Sequence, residues 1–215
     1  MTAAIAAAAA LTLLPALGIA QASAMEIDLS KMAPGGAPPD FESARTGQGG
    51  PAQWVVVADE TASQGRAIAQ TSTDRTDYRF PLAIYQPATE KDVEVVVRFK
   101  PVAGKVDQAG GIAVRLASPD DYYVARANAL EDNVRFYRVV KGSRQQIAGA
   151  NTKVSSGEWH TLGLRAEGDR FSVSFDGKPL IAATDATFRE AGKIALWTKA
   201  DSVTYFDRIA IRRLP

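Results

Sequence analysis

Hydrophobic and polar residues alternate along most of this chain with a period of two. The clearest case is residues 92–102, DVEVVVRFKPV, where Val93, Val95, Val97 and Phe99 share one face and Glu94, Arg98 and Lys100 the other. That alternation is the signature of a half-buried β-strand. Comparable short runs occupy residues 51–58, 66–71, 81–85, 144–148, 159–166, 170–176, 180–183, 193–198 and 203–212, with residues 41–42 adding a first short strand. Turn chemistry separates them, and Asp176-Gly177 between alternating runs is the strongest hairpin signal. Residues 73–80 read as loop and residues 187–191 as one helical turn. Roughly ten to twelve strands at spacings of about 8–12 residues, with no long helix, predict an all-β sandwich of two sheets.

The densest pattern lies in residues 110–140, GGIAVRLASPDDYYVARANALEDNVRFYRVV. It reads as three strands joined by polar turns at Ser118-Pro119-Asp120-Asp121 and Leu130-Glu131-Asp132. If the second hairpin closes with Asn128 facing Asn133, then Ala127 pairs with Val134, Arg126 with Arg135, Ala125 with Phe136 and Val124 with Tyr137. Ala125, Ala127, Val134 and Phe136 then face the core. Arg126, Asn128, Asn133, Arg135 and Tyr137 face away, with two arginines directly opposed. Like charges across a strand pair destabilise it, so the pattern demands compensation, either from local carboxylates (Glu131, Asp132 or Asp201) or from a ligand. The alternative is a solvated face with its arginines fanned into water.

The 215 residues suit one domain, and a 46% apolar content supplies a full core. A net charge of +1 argues against nucleic acid as a partner. The first 24 residues are apolar, small and uncharged and end in Ala22-Ser23-Ala24. We read residues 1–24 as a secretory signal peptide, although no Lys or Arg precedes the apolar stretch. Pro15, Gly18 and the short apolar length disfavour a membrane span. Export, to a periplasm or out of the cell, follows from this reading. With no cysteine in the chain, disulfide and thiol chemistry are excluded. Residues 25–40 are an extended, Pro- and Gly-rich lead-in, and residues 41–215 form the domain.

Two longer signatures carry a family resemblance. SGEWHTLGLRAEGDRFSVSFDGKPL, at residues 156–180, resembles concanavalin A-like jelly rolls, which include laminin-G-like and glucanase domains. GGIAVRLASPDDYYVARANALEDNVRFYRVVKG followed by GKIALWTKADSVTYFD resembles the bacterial secreted 3-keto-disaccharide hydrolase domain. The resemblance covers residue 41 to the C-terminus. It implies a concanavalin A-like jelly roll of two antiparallel sheets and a saccharide or glycoside partner whose C3 is a ketone. That ketone acidifies the C2 proton, so a base could remove it and the C1 substituent could leave, with a cation stabilising the enolate. Asp201 or Glu131 is the candidate base, and Arg126, Arg135 or Lys199 the cation. Laminarinase-type glucanases of this fold use E-x-D-x-x-E, which sets carboxylates about 5.5 Å apart. That spacing does not occur here, and the chemistry is rejected.

The run Leu196–Ser202 places an aromatic, an ammonium and a carboxylate on one loop. Trp197 either stacks a sugar ring or fills the core edge, and Lys199 and Asp201 either bond sugar hydroxyls or pair with each other. Together with Arg126, Asn128, Asn133, Arg135 and Tyr137 they form the candidate binding surface, since planar guanidinium, amide and aromatic groups meet vicinal hydroxyls and apolar ring faces. His160, the sole histidine, and Trp159 are expected to pack structurally. Asp207, Glu42 and Asp107 are candidates for a structural calcium; no other cofactor is expected. The competing functions are a non-catalytic glycan-binding module and a purely structural domain.

Overall fold

The computed structural model describes residues 24–215, so the expected signal segment, residues 1–24, lies outside the described residues apart from Ala24. The described strands are β1 (Met25–Glu26), β2 (Phe41–Gly47), β3 (Trp54–Ala58), β4 (Arg66–Gln70), β5 (Arg79–Glu90), β6 (Val93–Ala103), β7 (Ala109–Ser118) and β8 (Asp121–Asn128). After them come β9 (Asn133–Val140), β10 (Ser143–Asn151), β11 (His160–Glu167), β12 (Arg170–Phe175), β13 (Lys178–Thr184), β14 (Gly192–Trp197) and β15 (Val203–Arg213). One sheet runs β13-β12-β11-β6-β15-β4-β3, with β1 added on β15; the other runs β10-β9-β8-β7-β14-β5-β2. The expected all-β sandwich, a lectin-like jelly roll of two antiparallel sheets, is the fold.

Alternation decides the core. Val93, Val95, Val97 and Phe99 of β6 are buried while Glu94, Val96, Arg98 and Lys100 are only partly so. Phe99 packs against Phe175, Phe206 and the His160 ring with centroids 6.4, 6.5 and 5.8 Å away. Burying each such ring contributes about 1.5–3 kcal/mol. From the facing sheet, Ala125, Ala127, Val134 and Phe136 point into the same core. Their register is the expected one, with Asn128 opposite Asn133 and Arg126 opposite Arg135. The lead-in is tied down as well, because Ile27, Leu29 and Met32 are buried in this core. Residues 187–191 form no helical turn; the Phe188 amide instead donates to Tyr123 Oη (3.1 Å), and Asp185 takes the Thr187 amide (2.8 Å).

The second sheet departs from the usual arrangement in which an antiparallel sheet keeps one wet face. Its outer face carries its own apolar cluster, including Phe80, Leu82, Tyr122, Val124, Tyr137 and Trp197. The sheet covers this face by curling over it. Strands β5 and β9 are four places apart, about 19 Å in a flat sheet at ~4.8 Å per strand. Yet Tyr78, just before β5, donates from Oη to the Gly142 carbonyl just after β9 (2.7 Å) and accepts the Arg144 amide (2.9 Å). Thr46, at the end of β2, bonds the Pro119 carbonyl, and its Oγ1 lies 2.7 Å from Tyr122 Oη. The result is a concave face with an apolar floor.

Candidate functional site

The polar residues singled out in the β8–β9 hairpin converge beside that floor. Arg126 reaches from β8 to the Asn133 side-chain oxygen, to Glu131 Oε2 (2.8 Å) and to Tyr137 Oη (3.1 Å). Asn133 Nδ2 donates to the same Glu131 oxygen (3.1 Å). Asn128, on the same face, donates to Asp107 Oδ1 (2.7 Å), whose other oxygen lies 2.9 Å from Lys199 Nζ. Lys199 also meets Asp77 at 2.6 Å. Two groups result, Arg126–Glu131–Asn133–Tyr137 and Asn128–Asp107–Lys199–Asp77, in which Arg126, Asn128, Asn133, Tyr137 and Asp107 are buried while Glu131 and Asp77 open to solvent. The opposed arginines are reconciled by divergence. Arg126 turns to Glu131, whereas Arg135 turns outward to the Ala150 carbonyl and Asn151 Oδ1, both at 2.8 Å. Arg135 is therefore outside the network, lying over Gly149, where a Cβ would meet its Cδ at 2.4 Å.

Electrostatics follow from burial and pairing. Burial pushes the Asp107 carboxyl up, against the pull of Lys199 and Arg126. Burial would also raise Glu131, but the Arg126 charge and the hydrogen bonds from Asn133 and Arg126 outweigh it and hold that carboxyl below its ordinary range. Lys199 is held above its ordinary value, because Asp77 and Asp107 outweigh its desolvation.

Other expected members of the site have different duties. Trp197 is fully buried, stacked on Phe80 at 5.3 Å and donating from Nε1 to Tyr122 Oη (3.2 Å); it builds the floor and has no free face for a sugar. Gly111 makes this possible, since a Cβ there would lie 2.8 Å from the Ala125 carbonyl and 3.2 Å from the Trp197 ring. Asp201 is a loop anchor. Its carboxylate accepts the backbone amides of Lys105, Val106 and Asp107 at 2.8, 3.0 and 3.1 Å. Desolvation would raise its pKa, but those amides outweigh it and hold the group low; with both oxygens already taken by amides, the carboxylate is placed as an acceptor for the loop. Asp132 pairs with Lys153 (3.1 Å).

The calcium candidates do not meet. Glu42 is exposed on β2, Asp107 belongs to the network above, and Asp207 is buried in the other sheet against Arg98 (3.1 Å) and the Ser63 amide (2.6 Å). Among the described residues no group of three or more His, Asp or Glu side chains is placed to hold a metal ion. His160 is structural as expected, buried between the Asp176 carboxylate (2.8 Å) and the Ser155 carbonyl (3.0 Å). Trp159 is not core: it lies on the outer surface under Arg98 and Lys100, 4.8 and 4.9 Å from its ring centre, with Nε1 bonded to Thr61.

Sequence reasoning missed three participants. Asp77 sits in the loop before β5. Asp107 was taken for a metal ligand. Arg144 was assigned to a strand without a register, yet it pairs with Val139, which puts its side chain on the concave face. Two wells of about 340 and 360 Å³ lie elsewhere, the first lined by Lys91, Arg115 and Arg189, the second by Ser43, Arg45 and Pro51. In the first, Arg115 is fully paired with Asp92 and three carbonyls.

A two-sheet jelly roll with a curled, polar-rimmed concave face is the architecture of lectin-like domains. Residues 51–214 match the family described as galactocerebrosidase, C-terminal lectin domain, and the chain belongs to that family. A second similarity is to levanase of Bacillus subtilis (strain 168), 34% identical over 68 residues, which is 32% of this chain and 10% of levanase. The chain therefore spans only about a tenth of that curated relative. Among solved structures it is similar to carbohydrate-binding module CBM66 from Bacillus subtilis, with a TM-score of 0.61 and 22% identity over 79% of this chain and 94% of that one. It is also similar to a Bacillus subtilis protein of galectin-like fold, with a TM-score of 0.57 and 12% identity over 81% and 89% of the two chains. These structural likenesses establish the fold. No helix of the described residues is long and apolar enough to cross a membrane.

Proposed function

We propose that the protein is an exported saccharide-binding module, periplasmic or extracellular, whose ligand seat is the polar rim of the concave face. The observation that carries this reading is a pair of interlocked groups on one face, Arg126–Glu131–Asn133–Tyr137 and Asn128–Asp107–Lys199. These groups are fixed by one another, so they meet a ligand with little ordering left to do. Guanidinium, amide, carboxylate and phenol together offer both donors and acceptors to vicinal hydroxyls. Its family, galactocerebrosidase C-terminal lectin domains, and its similarity to levanase make galactosides and fructans the first ligands to try. Calorimetric titration well below the melting temperature should show binding that Glu131→Gln weakens by about tenfold, and the melting temperature should fall because the buried Arg126 loses its counter-charge. No binding to any saccharide would refute the reading.

A second reading adds turnover of 3-keto-glycosides. Its support is one open carboxylate, Glu131, kept ionised beside a cation, Arg126, which is the pairing that C2-proton abstraction and enolate stabilisation need. In this reading Glu131 is the base, and water finishes the reaction after the C1 substituent leaves. A 3-keto-glucoside with a chromogenic leaving group, beside the parent glucoside, tests it. Release from the 3-keto substrate alone, lost in Glu131→Gln, is the expected result; no release leaves a binding module only.

A further inference from the structure

Across the concave face three carboxylates answer only two of the three cations. Arg126 is paired with Glu131, and Lys199 with Asp77 and Asp107. Arg144 makes no side-chain hydrogen bond or ion pair among the described residues. It nevertheless sits partly buried in an aromatic cradle, 4.5, 4.6 and 5.8 Å from the ring centres of Tyr137, Phe80 and Trp197. Its Nη1 is enclosed without a partner. The π faces offset the charge in part, but they supply no lone pair to the N–H groups of the guanidinium, and an enclosed unpaired donor is costly. Arg126 repeats the pattern. It lies 5.8 Å from the same Tyr137 ring, bonds that residue's hydroxyl, and has a buried Nε with no acceptor. Two guanidinium groups thus flank one tyrosine, each with a spare, enclosed N–H.

We infer that the ligand is an acidic saccharide, and that Arg144 receives the carboxylate of a uronate residue while the sugar hydroxyls occupy the Arg126–Glu131 rim. This rests on the saccharide-binding reading above. A carboxylate supplies what a neutral hydroxyl does not, a charge-assisted acceptor for the fork of an arginine already held in place by its rings. Glu131 does not oppose it, since its charge is met by Arg126.

The test uses oligosaccharides of polygalacturonate, alginate and hyaluronan, each beside its carboxyl-reduced counterpart, titrated at physiological salt. At least one acidic oligosaccharide should bind at least about tenfold more tightly than its reduced form. Arg144→Gln should erase that preference. Arg189→Gln, which removes an exposed charge far from this face, should keep it, excluding a general effect of net charge. Two melting curves decide whether Arg144→Gln is folded; if it is not, Arg144→Lys, which keeps the charge but loses the fork, should reduce the preference. Equal binding of acidic and reduced forms would overturn the inference and leave the saccharide-binding reading standing. Binding of no acidic and no neutral oligosaccharide would overturn both.

Discussion

The duty assigned to Asp201 can be separated sharply from catalysis. Asp201→Ala removes the acceptor for the amides of Lys105, Val106 and Asp107. The Asp107 amide is fully buried and would be stranded, at about 1–3 kcal/mol, while the other two recover water and lose about 1 kcal/mol each. A total of about 3–5 kcal/mol is a large share of the ~5–15 kcal/mol that holds a domain together. With an m-value of ~2 kcal/mol/M the urea midpoint should fall by about 1.5–2.5 M. The pH dependence carries its own sign. Because the folded carboxyl is held below its ordinary value, its contribution is fully present above the unfolded pKa of about 3.9 and is lost as pH falls through the folded value. Wild-type and variant midpoints should therefore differ most at neutral pH and draw together in acid. Equal urea midpoints at pH 7 would refute the anchor reasoning, and lost turnover alongside them would return Asp201 to the chemistry.

Two further outcomes follow from packing. Gly111→Val forces a branched side chain between the Ala125 carbonyl and the Trp197 ring; the overpacking should cost about 1–3 kcal/mol and lower the melting temperature by about 3–10 °C, and an unchanged melting temperature would contradict the close approach. Of the three tryptophans, Trp54 and Trp197 are buried and Trp159 lies on the surface, so acrylamide should quench chiefly Trp159. Trp159→Phe should leave emission that acrylamide barely touches; strong residual quenching would disprove the assignment.

The hairpin of β8 and β9 was readable because its turn residues and its alternation agree, and register then follows from counting. The charge argument was readable too: opposed arginines needed a carboxylate, and of the three on offer Glu131 supplies it to Arg126. Trp159 was misjudged although the alternation was available, for with His160 pointing inward its neighbour must point out. The role of Trp197 could not be read, because alternation says which face a residue takes and not whether that face is covered. What hinted at cover was the apolar character of β7 and β8 on both parities, as in Ile112-Ala113-Val114 and Tyr122-Tyr123-Val124-Ala125. Asp77, Asp201 and Asp107 lie in loops, where no periodicity operates and only tertiary structure assigns partners. The calcium trio does not assemble because Glu42, Asp107 and Asp207 sit on β2, in a loop and on β15, and spacing along the chain does not say which distant elements meet.

The bonds that draw the second sheet shut join residues 64 to 76 positions apart in the chain. They repay late a closure that is entropically costly, and those from Tyr78 are exposed to water, which places them among the first to open. The molecule can therefore relax its groove while the sandwich beneath stays intact. Arg144 sits on that seam, its amide on Tyr78 and its guanidinium over Phe80 and Trp197, so a ligand held in this cradle would draw the sheet toward the closed form by mass action. Filling that cradle and completing the curl would then be one linked equilibrium.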